Sequence, residues 1–228
     1  MMKKLSFLLL SSVILFSACK KDSSDPAPTP SKARVMFGHT TIGVDSLKLQ
    51  LNNATLTSVP GLGFGTYTNY VEVDPGSTKV SFNLLNAGTI VLDSTTTNFA
   101  TNGYYSVFTT GVVTSPNIVI TTDDLSAPPA GSAKVRFINL SPENLNESLY
   151  IGPTKLDSNI SFGKATQFHT IAAGTQVVLV QDPSPTKAYL VRSASQAFAV
   201  GKIYTVVLYG TEAAAGPSQL NIKVLTNN

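Results

Sequence analysis

An internal duplication constrains this chain more than any other feature. Ala33-Arg34-Val35-Met36-Phe37 returns as Ala133-Lys134-Val135-Arg136-Phe137. Phe64-Gly65, followed by Thr68, Tyr70, Val73, Gly76 and Ser77, returns as Phe162-Gly163, followed by Thr166, Phe168, Ile171, Gly174 and Thr175. Tyr105-Ser106-Val107 running to Gly111 is answered by Tyr204-Thr205-Val206 running to Gly210. A period of about 100 residues is too long for a solenoid of small units, and it predicts two tandem domains, each enclosing its own core.

Both copies carry strand signals. Val35 and Phe37 alternate with Arg34 and Met36; Leu47, Leu49 and Leu51 with Lys48 and Gln50; Val80, Phe82 and Leu84 with Lys79, Ser81 and Asn83. Period two places one face of a strand in a core and the other in water. Breakers such as Asp74-Pro75-Gly76, Asn86-Ala87-Gly88 and Asn102-Gly103 punctuate the runs. No stretch after the leader keeps a helical apolar stripe, so the expected fold is all-β, two antiparallel sandwiches at 33–124 and 133–228. In the second copy the expected strands lie near 133–139, 147–152, 165–171, 175–182, 187–196, 202–209 and 218–225. The apolar run Val177-Val178-Leu179-Val180 reads as a strand covered on both faces or lying against the other domain. Residues 123–132, with Pro128-Pro129, form a short linker that limits a hinge.

The chain opens with an export signal over 1–18: Lys3 and Lys4, an apolar run from Leu5 to Phe16, then Ser17-Ala18. That run is too short for a permanent membrane span, which takes roughly twenty residues. Leu15-Phe16-Ser17-Ala18 before Cys19 resembles a bacterial lipobox. The resemblance implies a diacylglycerol on the Cys19 thiol, cleavage before it and acylation of the new amine. Cys19 is the single cysteine, which excludes an intramolecular disulfide. Residues 19–32, rich in Ser and alternating Pro, read as an extended tether reaching roughly 30–40 Å at about 3.1 Å per residue. Asp22 and Asp25 resemble the acidic stretches that direct some Gram-negative lipoproteins outward. The expected address is therefore the outer membrane, lipid-anchored, facing the periplasm or the outside.

Charge argues against a nucleic-acid partner. Two of the 16 Lys and Arg residues, Lys3 and Lys4, lie in the leader; the 14 that remain face 13 acids and are scattered singly apart from Lys20-Lys21.

Ala133 to Pro142, Ser161-Phe162-Gly163, Ala173-Gly174-Thr175 and Gly201 to Val207 resemble a bacterial family, domain of unknown function 4397. The resemblance covers nearly all of the second copy and is weaker over the first, where Gly38-His39-Thr40-Thr41 stands in place of Asn139-Leu140-Ser141-Pro142. It implies exported or lipid-anchored proteins with immunoglobulin-like β-domains, often in tandem, and brings no catalytic residues and no cofactor.

Few residues invite a chemical role. Asn139, Ser141 and Glu143 offer oxygens to a ligand or Ca²⁺, or simply satisfy a turn. His39 and His169 lack the partners of a zinc site and fall in unrelated places of the two copies. Asp123-Asp124 reads as a solvated turn, with a metal or general-base role as the alternative. Gly61-Leu62-Gly63-Phe64-Gly65 is not a phosphate loop, because no helix follows it. Tyr67, Tyr104, Tyr150, Tyr189 and Tyr209 are the recognition candidates, Tyr67 and Tyr150 foremost. The expectation is a non-catalytic binding, adhesion or scaffold module for a glycan or envelope protein. A hydrolase or metal enzyme using His169 or Asp123-Asp124, and a purely structural stalk, are the alternatives.

Overall fold

Period-two alternation decides the architecture. The computed structural model describes residues 31–85, 90–143, 146–182 and 190–228. The first copy contributes β1 (Ala33–His39), β2 (Ser46–Leu51), β3 (Ala54–Thr55), β4 (Leu62–Gly63), β5 (Thr66–Tyr67), β6 (Val71–Val73), β7 (Gly76–Leu84), β8 (Val91–Phe99), β9 (Tyr104–Val112) and β10 (Ser115–Thr122). The second contributes β11 (Ser132–Asn139), β12 (Glu147–Ile151), β13 (Thr154–Ile160), β14 (His169–Ala172), β15 (Gly174–Gln181), β16 (Leu190–Phe198), β17 (Ile203–Tyr209) and β18 (Asn221–Thr226). The described helical content is one 3₁₀ turn at Gly216–Ser218. The leader, Cys19 and nearly all of the tether lie outside the described residues, as do the turn at 86–88 and Tyr189.

Each copy is a sandwich of two sheets. In the first, β10-β9-β1 continues into β5 and β6, facing a sheet in which β2 stands between β3 or β4 and β7, with β8 at the edge. In the second, β14-β11-β17-β18 faces β13-β12-β15-β16. The fold is all-β, two immunoglobulin-like sandwiches, and among the described strands the ladders are antiparallel except for one in each copy. There β1 runs parallel to β9, and β11 to β17. The duplication is exact in register: Arg34 lies opposite Tyr104 as Lys134 lies opposite Ile203.

Val35, Phe37, Leu47, Leu49, Val80, Phe82 and Phe99 fill the first core. Val135, Phe137, Leu149, Val178, Val180 and Phe198 fill the second. The faces of β1 and β11 expected to be wet are not: Met36 is 3% and Arg136 is 1% exposed. A third apolar cluster covers them, with Met36, Phe108 and Val119 from one copy and Ile138, Leu140, Val207 and Leu225 from the other. The β1-containing sheet and the β11-containing sheet pack face to face, and residues 31–228 form one compact unit.

Two strand expectations change. β13 is missed because Thr154-Lys155-Leu156-Asp157-Ser158-Asn159-Ile160 is mostly polar, while residues 165–168 make one isolated bridge (Ile138 to Ala165) before β14 begins at His169. Val177 and Leu179 point away from the second core and are half-buried. Their sheet is the one remote from the other copy, so this run does not lie against it.

Candidate binding site at the junction of the two copies

The junction is built twice over from equivalent residues. Asp123 N–H donates to the Tyr104 carbonyl as Asn227 N–H donates to that of Ile203 (2.8 Å each). Ser106 Oγ donates to Asp123 Oδ2 (2.6 Å), and the equivalent Thr205 Oγ1 donates to Asn227 Oδ1 (2.8 Å). Arg136 closes the arrangement. Its Nη2 lies 2.7 Å from Asp123 Oδ1, with further donation to Ser106 Oγ (3.2 Å) and from Nε to Thr205 Oγ1 (3.0 Å). Asn227 Nδ2 donates to Tyr70 Oη (2.9 Å), and Tyr70 Oη donates to Asp123 Oδ2. The result is a closed polar ring joining both copies, with the Arg136 guanidinium 4.6 Å from the centre of the Phe168 ring.

Asp123 is therefore not a solvated turn residue: its side chain is fully buried and Arg136 supplies the compensating charge. Burial first, and the Asp123 charge second, push the Tyr70 hydroxyl well above its ordinary value. Asp124 does stay exposed. Hydrogen bonds from Ser126, with Lys134 beside it, hold its carboxyl down at about 2. No sequence signal flagged Arg136, because β11 reads as an ordinary half-buried strand.

His39 and Asn139 do one job rather than two. His39 Nδ1 accepts the Thr41 N–H (3.2 Å) and Nε2 reaches the Val44 carbonyl (2.9 Å). Asn139 Oδ1 accepts the Ser141 N–H (3.0 Å) and Nδ2 donates to the Ile160 carbonyl (2.9 Å). Accepting at Nδ1 while donating from Nε2 requires a neutral imidazole. Burial accordingly lowers the His39 pKa from 6.5 to about 4. Asn139 and Ser141 are at most 1% exposed, and Ser141 Oγ donates to the Gly210 carbonyl, so these two candidates hold the turn after β11 together. Glu143 accepts the Glu212 N–H (3.0 Å).

The tyrosines divide. Tyr67 lies in the junction, against Phe108 (6.0 Å between rings) and under Lys223 Nζ (5.1 Å), and burial raises its hydroxyl well above the ordinary value. Tyr209 stands beside Phe64 (6.0 Å), and Tyr104 beside Tyr70 (5.3 Å). Tyr150 is on the outer sheet of the second copy, opposite Leu179 and capped by Lys155 (5.4 Å). His169 pairs with Asp157 (2.9 Å) across the sheets of the second copy. Among the described residues, no three or more His, Cys, Asp and Glu side chains converge as metal ligands.

A cleft opens at the junction, with a volume of about 510 Å³. Residues 119–122 of β10 form one wall, residues 163–168 the other, and Arg136 lies at its floor.

Residues 33–148, half of the chain, match the family described as "Domain of unknown function (DUF4397)", and the chain belongs to that family. The match spans the first copy and the opening of the second, whereas the sequence by itself predicts the stronger resemblance over the second. No curated protein matches the chain. Among solved structures, a "putative cell adhesion protein" from Bacteroides uniformis ATCC 8492 is 11% identical, covering 86% of this chain and 99% of its own, with a TM-score of 0.25. Another so described, from Bacteroides fragilis NCTC 9343, is 6% identical, covering 88% and 98%, with a TM-score of 0.23.

Proposed function

We infer that this chain is a lipid-anchored outer-membrane protein whose paired sandwiches act as a non-catalytic binding, adhesion or scaffold module. The observation that carries the reading is the closed Asp123–Arg136–Asn227–Tyr70 ring. It takes up the buried charged pair of the junction as structure and welds two sandwiches into one unit. His39, neutral and held at both nitrogens, is equally occupied. Behind this unit, the order of leader, Cys19 and proline tether supports acyl anchoring, with each buried methylene contributing about 0.8 kcal/mol. The anchor fixes one end, the tether supplies reach, and edges and loops of the sandwiches supply contacts to a glycan or an envelope protein.

Mass spectrometry of the purified protein tests the anchor. The expected N-terminal peptide begins at Cys19 with a thioether-linked diacylglycerol, and Cys19→Ala moves the protein to the soluble fraction. An unmodified Cys19 overturns the anchoring. Hydrolase activity lost on His169→Ala would instead establish the enzymatic alternative.

A further inference from the structure

The junction has two equivalent slots, and they are not equally filled. On one side Lys223 of β18 lies across the Tyr67 ring and donates to the Gly65 carbonyl (3.0 Å). On the other, Val119 stands where Lys223 stands, Ala165 where Tyr67 stands, and Gly163 where Gly65 stands; an added Cβ on Gly163 would lie 3.7 Å from Val119. The smaller pair, Val119 and Ala165, leaves the cleft open.

What the cleft offers a ligand follows from which groups are already occupied. Thr121 Oγ1 donates to Asp123 and Thr166 Oγ1 to the Gln167 carbonyl, while Arg136 is held by Asp123, Ser106 and Thr205. The main chain of β10 is different, since β10 is an edge strand paired with β9 alone. Asp123 N–H points to β9, so odd-numbered residues of the strand face the ladder and even-numbered ones face outward. Pro116, which has no N–H, fits that parity. Ile120 and Thr122 thus turn to the side an N–H and a C=O that have no backbone partner among the described residues, and both line the cleft.

We propose that this cleft binds an extended polypeptide segment, which adds as a strand to the β10 edge with residues 163–168 as the opposite wall. The inference deepens the binding-module reading and rests on it. Four residues of β10 span roughly 13 Å, enough to pair with a short segment at 3.2–3.4 Å per residue. Recognition through main chain makes affinity depend on extension more than on a particular side chain. The floor is electrically compensated by the Asp123–Arg136 pair and the rim adds one acid, Asp124, and one base, Lys164, so a strongly charged segment is not required.

The test uses a phage-displayed library of random dodecapeptides panned on the mature chain, followed by titration of the enriched peptides. Binding is expected to slow hydrogen exchange at Ile120 and Thr122. Val119→Lys, which copies the occupied side, is expected to weaken binding at least about tenfold. Thr122→Pro deletes one outward N–H on an exposed side chain's residue, leaves the β9 ladder intact, and is expected to weaken binding about fivefold. It keeps the test decisive if Val119→Lys fails to fold. Failure to enrich any peptide, or peptides that bind both variants as well as the parent, overturns the proposal. So does a glycan-array ligand displaced by Val119→Lys. None of these results touches the acyl anchor at Cys19, whose own measurement stands apart.

Discussion

Acidification should unlock the turn after β1 in a way that a single substitution can remove. His39 is 0% exposed, and its ring accepts at Nδ1 and donates at Nε2, so protonation breaks the bond from Thr41 and buries a charge. The pKa falls from 6.5 to about 4 on folding. Between those values the unfolded chain carries a proton that the folded chain refuses, so stability falls as pH falls. At 1.36 kcal/mol per tenfold, the loss relative to pH 8 is roughly 2 kcal/mol at pH 5 and roughly 3 kcal/mol at pH 4. His39→Asn installs the side chain that serves the second copy at Asn139. It keeps an acceptor for Thr41 and gives up the bond to Val44, at a cost near neutral pH of about 1 kcal/mol. Urea melts of both proteins from pH 8 to pH 4.5 give the difference, in which the carboxylates common to both cancel. The parent should lose its advantage as the medium is acidified, and the curves should cross near pH 5 to 6. Parallel curves would refute the neutral-imidazole account.

At the alkaline end, Tyr67, Tyr70 and Tyr209 all resist ionisation because of burial, so above pH 10 the unfolded chain releases protons that the folded chain keeps. Stability should drop as pH rises, with tyrosinate absorbance appearing together with unfolding rather than before it. Asp123→Ala leaves Arg136 buried without its counter-charge and should cost about 3–5 kcal/mol in a denaturant melt. Asp123→Leu with Arg136→Met, the residue at the equivalent Met36 position, should recover most of that loss. Gly210 sits at φ +82° with the Gln219 carbonyl 2.4 Å from where a Cβ would lie, and Gly111 at φ +86° with the Ser115 carbonyl at 2.5 Å. Gly210→Ala and Gly111→Ala should each destabilise by about 1–3 kcal/mol or more, read from thermal melts.

The parts of the fold legible beforehand were those with local causes. The alternation in β1, β2 and β7 marked strands because a pleated chain sorts neighbouring side chains to opposite faces. The repeated Tyr-x-Val running to Gly marked β9 and β17 as equivalent strands because the same residues recur at the same spacing. β13 escaped because its alternation is carried by polar side chains on a half-exposed edge. Of the candidate site residues, Asn139 and Ser141 turned out to hold their own turn, while Arg136 and the cleft went unmarked.

Duplication, strand content and the order of leader, cysteine and tether are properties of the chain read alone, because each depends on residues near one another in sequence. The burial of Met36 and Arg136, the pairing of Asp123 with a residue of the other copy, and the one unfilled slot depend on two sheets meeting across the whole chain. A face that alternates polar and apolar looks wet until another sheet covers it, and only the tertiary arrangement brings that sheet.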